Sequence, residues 1–151
     1  MRRVQPDGAV LFCGTHLSVR VAVLKPGVVL ASARGEVLDP ADQNVEMAML
    51  AEFDRELDRA GTFALFADLR ESEGLSPASR KKIASWMRRH QARLLPSHVL
   101  VGSKLTEIAL SIITMLVGGG LFQTHTNPQT FLALLKKVSP KLTNLPQVPD
   151  P

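Results

Sequence analysis

The sequence predicts an α/β fold: a single mixed β-sheet that opens with an antiparallel hairpin and continues through βαβαβα crossovers. Three observations carry this expectation. The run Phe63-Ala64-Leu65-Phe66-Ala67 lies between Gly61 and the polar stretch after Arg70, as a central strand covered on both faces requires. A capping residue followed by Pro occurs at Asp39-Pro40, Ser76-Pro77 and Asn127-Pro128, and each pair is a helix start. Ahead of the first pair, two extended segments flank Lys25-Pro26-Gly27. Pro presets φ there and Gly takes the positive φ that a type II turn demands.

In chain order, residues 9–13 read as a first strand. Residues 16–23 alternate, with Leu17, Val19, Val21 and Val23 on one face and His16, Ser18 and Arg20 on the other, so the second face is expected to be wetter. Residues 28–35 return as the hairpin partner. The helix after Asp39 carries the apolar stripe Val45, Met49, Phe53 and Leu57, and Gly61 suits its end. Asp42, Glu46, Glu52, Asp54, Glu56 and Asp58 are assigned to its outer face, which makes this helix acidic. The central strand 63–70 is expected to give way to a turn at 71–74. In the helix after Ser76, Ile83, Met87, His90 and Leu94 share one side, and Lys81, Lys82, Arg88, Arg89 and Arg93 spread over the other. That helix is basic, and Pro96 is expected to stop it.

Residues 98–102 read as a short buried strand. The next helix, capped by Ser103, is apolar round nearly its whole circumference from Ile108 to Val117, and Gly118-Gly119-Gly120 ends it. It is too short for a membrane span, which needs about 20 such residues. A last short strand, 121–124, precedes the terminal helix with Phe131, Leu132, Leu134, Leu135 and Val138. Strands alternating with helices in the second half argue for parallel pairing there. The domain expectation is therefore a flexible N-terminus over 1–8, a folded domain over 9–138, and a Pro-rich flexible tail over 139–151.

Composition narrows the function classes. The chain has 151 residues, a net charge of +4, one Trp, no Tyr and a single cysteine, Cys13. An internal disulfide is thereby excluded, and sparse aromatics argue against a stacking platform for single-stranded nucleic acid. No apolar secretion signal follows the basic start, so a cytoplasmic location is expected. The four histidines, His16, His90, His98 and His125, make no helical His-x-x-x-His pair, which gives metal ligation no support; His90 reads as a hydrogen-bonded edge of the core. Gly-x-Ser-x-Gly is absent, and the triple glycine ends a helix instead of opening one on a phosphate. No catalytic residue, cofactor or metal is expected.

The strand ending Phe66-Ala67-Asp68-Leu69-Arg70, the entry Gly74-Leu75-Ser76, the strand Val99-Leu100-Val101-Gly102 before an apolar helix, and Leu121-Phe122 before Phe131–Leu135 together resemble the STAS superfamily, in particular its SpoIIAA-like domains. The pattern spans roughly residues 17 to 136. The resemblance implies a SpoIIAA-like fold and a non-enzymatic regulatory role of the anti-sigma-factor-antagonist kind, with a distant relation to Sec14-type lipid-binding proteins. Antagonists of that family are switched by phosphorylation of a Ser in an Asp-Ser-Ser-Gly-type turn. This chain departs from the pattern with a shorter turn, Ser72-Glu73-Gly74-Leu75-Ser76, so Ser72 and Ser76 are the nearest candidate phosphoacceptors. An N-cap serine is the ordinary reading of Ser76.

Two surfaces complete the expectation. Arg80, Lys81, Arg88 and Arg89 are the candidate partner-binding cations. Leu105, Ile108, Ile112, Met115 and Leu116 are the candidate apolar interface or ligand surface, because a helix apolar all round must be covered on every side. The expected partner is another protein, with a homodimer anticipated. The alternative is a small apolar ligand such as a lipid, and no nucleic acid is anticipated.

Overall fold

The computed structural model describes residues 1–151. Seven strands lie side by side in chain order: β1 (Arg2–Val4), β2 (Val10–Cys13), β3 (Leu17–Lys25), β4 (Val28–Gly35), β5 (Ala64–Ser72), β6 (Ser97–Val101) and β7 (Phe122–His125). The strands from β1 to β4 pair antiparallel and those from β4 to β7 pair parallel. Crossovers of one hand that step in one direction put their helices on one face. Accordingly α1 (Pro40–Ala60), α2 (Pro77–His90) and α3 (Lys104–Val117) pack on one side around Phe53, Leu57, Trp86, Met87 and Ile113, while α4 (Pro128–Val138) covers the other with Phe131 and Leu135. None of the helices is long and apolar enough to cross a membrane.

The helix boundaries follow from their caps. Asp39 accepts from the Asp42 amide and Asp42 answers through a reciprocal capping box, Ser76 accepts from the Ser79 amide, and Asn127 accepts from Gln129 and Thr130. Gly61, with φ 85°, ends α1 in the left-handed conformation that costs glycine least.

Several expectations are corrected. Residues 1–8 contain a strand: β1 pairs with β2 from Arg2↔Phe12 to Val4↔Val10. The central strand runs on to Ser72, where Gly35 pairs with it across an irregularity in β4. α2 ends at His90, well before Pro96, because the chain turns through a 3₁₀ segment (Gln91–Arg93), after which the Arg93 carbonyl accepts from the Phe63 amide and the Leu95 amide donates to the Phe63 carbonyl. The expected wet face of β3 is covered. Ser18 and Arg20 are buried, with the Arg20 guanidinium held by Gln5 (2.8 Å) and Asp7 of the β1–β2 turn. Residues 139–151 have no helix or strand, as their prolines dictate. They nevertheless lie against the α4 face, with Leu142 and Leu145 on its apolar cluster, Val148 buried and Arg34 bound to the Val148 carbonyl and to Asp150.

Candidate functional site

On the three-helix face, α2 and α3 pack against each other. Thr106, Ala109, Leu110 and Ile113 turn the inner side of α3 into the core. On the opposite side Leu105, Ile108, Met115 and Leu116 are exposed, Met115 to 82%, and Ile112 is half-buried. Their spacing of three or four residues aligns them in one stripe. Within the chain, neither α2 nor the terminal helix covers this stripe, whose Leu105, Ile108, Met115 and Leu116 stay exposed. Thr106 Oγ1 donates to the Ser72 carbonyl at 3.3 Å, and Ser103 caps the helix from the Thr106 amide. The start of α3 is thus pinned to the end of the central strand.

The candidate cations lie on α2, the helix that packs against α3. Lys81 and Arg88, seven residues apart, stand exposed on one ridge with Arg89 next to it. No carboxylate pairs with any of the three. Arg80 differs: it is half-buried, and its guanidinium donates to the Leu75 carbonyl at 3.4 Å. The serine candidates also separate. Ser72 is buried at the end of β5. Ser76 is the N-cap of α2, its oxygen 3.1 Å from the Ser79 amide.

The acidic face expected on α1 is largely absent from the surface. Asp42, Glu46 and Glu56 are buried. Glu56 accepts from the Gly27 amide (2.9 Å) and forms a forked pair with Arg59. Asp54 accepts from Trp86 Nε1 at 2.7 Å, and His90 Nε2 sits 3.1 Å from the same oxygen. The His90 Nε2 contact lacks hydrogen-bond alignment, but the ring is hydrogen-bonded through Nδ1, 3.3 Å from the Arg93 guanidinium. Glu46 faces Lys82 at 3.6 Å. Most of the acids of α1 are therefore spent inside the molecule, tying α1 to its neighbours, and the charge contrast with α2 is not a contrast between two open surfaces.

Asp42 is the most heavily used of them. Its Oδ1 accepts from the amides of His16 (2.8 Å) and Leu17 (3.1 Å), and its Oδ2 from those of Leu38 and Asp39, both at 3.2 Å, with the His16 ring 3.0 Å away. Burial by itself raises the pKa of this carboxyl. The His16 amide and ring and the Leu38 and Asp39 amides outweigh it and hold the group well below the usual carboxylate range. His16, Asp39 and Asp42 approach one another as metal ligands would, but the Asp42 oxygens are filled by these donors. The cluster is a clasp joining the loops at the start of β3 and of α1.

A pair that the sequence did not suggest lies on the α4 face. His98 on β6 and His125 on β7 approach at 3.0 Å, Nδ1 to Nε2. Phe66 stacks on His98 and Phe131 flanks His125. Burial, and then the charge of His125, lower the pKa of His98.

No protein-family model matches the chain, and no curated protein does. Solved structures do. The chain is similar to an uncharacterized protein of the DUF3478 family with a SpoIIAA-like fold from Shewanella loihica PV-4, at 15% identity and a TM-score of 0.56, over 82% of this chain and 97% of that one. It is similar also to an anti-sigma factor antagonist from Mycobacterium paratuberculosis, at 19% identity and a TM-score of 0.52, over 89% and 99%. The fold is SpoIIAA-like, as the sequence pattern led us to expect.

Proposed function

We propose that this chain is a non-enzymatic regulatory domain that works by binding proteins through the exposed faces of α2 and α3. The observation that carries the reading is the exposed stripe from Leu105 to Leu116. Each large apolar side chain left in water forgoes roughly 1.5–3 kcal/mol of burial, and a contiguous set of them is the usual mark of an interaction site. In this reading the stripe pairs with a second copy of the chain, because self-complementary apolar patches close into two-fold dimers. The ridge of Lys81, Arg88 and Arg89 stays open on α2 for an acidic partner, whose approach such charges steer. The structural likeness to an anti-sigma factor antagonist supports a regulatory role of this kind.

Ser76 remains the candidate phosphoacceptor, since a phosphate there would sit at a helix N-terminus, next to the basic residues of α2. The partner surface is tested by reversing charge, Lys81→Glu with Arg88→Glu, and measuring recovery of bound protein from a lysate of the source organism at low and moderate salt. The expected result is a partner retained by the wild type, weakened by salt and lost from the variant. Retention of the same partner by the variant would remove the ridge from the docking surface.

A further inference from the structure

The larger face of the sheet is not filled evenly. Where α1 and α2 stand over β4 and β5 there is a cavity of about 110 Å³. Phe53, Phe63 and Trp86 line it, with Leu50, Leu65 and Ile83. It extends to Val37 and Leu75, in the loops that follow β4 and β5. The carboxyl ends of parallel strands are where open α/β sheets receive ligands. The lining includes two acids, the half-buried Glu36 and the buried Glu46, the latter 4% exposed. The Oε1 of Glu46 has no hydrogen-bond partner, and Lys82 Nζ lies 3.6 Å off, near enough to balance the charge but not to bond. A buried carboxylate oxygen without a donor is costly, and a ligand carrying a donor would relieve it.

We propose that this cavity binds a small, mostly apolar molecule of about one ring in size that carries a hydroxyl or protonated amine, with Glu46 accepting that donor. The volume sets the size. A dry cavity of roughly 150 Å³ takes benzene, so a space of about 110 Å³ sets the upper limit near a single ring or a short alkyl chain and excludes the acyl chains of a membrane lipid. The site is separate from the stripe on α3 and does not rest on the docking reading.

Trp86 is the only tryptophan of the chain and lines the cavity, so its emission reports occupancy. The probes are benzyl alcohol, benzylamine and toluene, titrated into the full-length protein. The expected result is a saturable change in Trp86 emission with all three, tighter for the alcohol and the amine than for toluene. Glu46→Met should weaken the alcohol and amine by roughly tenfold or more, as loss of a hydrogen bond to a charged group does, and leave toluene unchanged. Ala33→Leu, which adds bulk at a lining position, should abolish binding of all three and supplies the comparison if Glu46→Met does not fold. No saturable change with any probe up to its solubility limit would overturn the site. Equal binding of the alcohol and amine to wild type and Glu46→Met would overturn the role of Glu46.

Discussion

Replacing Asp42 with Asn tests whether one buried carboxylate fastens the loops that flank β3 and α1. The two side chains are nearly isosteric, so packing is preserved and the change falls on hydrogen bonding. Asp42 accepts from four backbone amides, two at each oxygen. An Asn side chain can keep the two at its carbonyl oxygen, but its NH₂ group then meets the other two amides, donor against donor. Two hydrogen bonds to a charged acceptor are lost, each worth roughly 1.5–3 kcal/mol, so the expected destabilisation is about 3–6 kcal/mol, read from the urea midpoint at pH 7. The acid limb supplies a second readout. A carboxyl whose folded pKa is depressed contributes stability that is fully present above its unfolded value, near 3.9, and is lost as pH falls through the folded value. Wild-type stability should therefore fall below about pH 4, and the Asn variant should lack this part of the fall. A loss under 1 kcal/mol at pH 7 with an unchanged acid limb would refute the clasp.

Other sites yield further predictions. Gly35 has φ 94°, and a Cβ there would collide with the His16 carbonyl, so Gly35→Ala should cost about 2 kcal/mol or more in chemical denaturation. His98 has a lowered pKa, so the unfolded chain takes up its proton first as pH drops. Stability should decline as pH falls from about 6.5 toward the lower folded value, and His98→Gln should flatten that decline in thermal melts at pH 5 to 7. Deleting residues 140–151 uncovers the α4 face and removes Leu142, Leu145 and Val148 from it. With two of the three only partly buried, the expected loss is about 2–4 kcal/mol; an unchanged urea midpoint would mean that the tail contributes nothing.

How much of this was legible beforehand depended on whether the signal was local. Asp39-Pro40, Ser76-Pro77, Asn127-Pro128 and Gly61 each state a boundary within a few residues of chain, and the structure uses all four. The central strand and the apolar side of each helix follow from periodicity for the same reason. Arg2–Val4 is too short to show any period, and its pairing depends on an edge that only the assembled sheet provides. The acids of α1 look like a solvated face because periodicity separates apolar from polar positions and is silent on which polar groups find internal donors. Asp42, Glu56 and Asp54 each find donors 25 to 32 positions away, in His16 and Leu17, in Gly27 and in Trp86. His98 and His125 meet only because β6 and β7 lie parallel in register. The stripe on α3 was visible as apolar surplus, whereas its exposure was settled by how far α2 and α4 reach.

The central claim, that the α3 stripe pairs two copies of the chain, is tested most directly by light scattering after size exclusion, on the wild type and on a variant carrying Ile112→Asp and Met115→Asp. Both proteins are run at low salt and at about 0.5 M, where charge effects are screened to a few ångströms. The account predicts a wild-type dimer at both salts and a folded monomer for the variant. A wild type that is monomeric throughout, or a variant that remains dimeric, would contradict it.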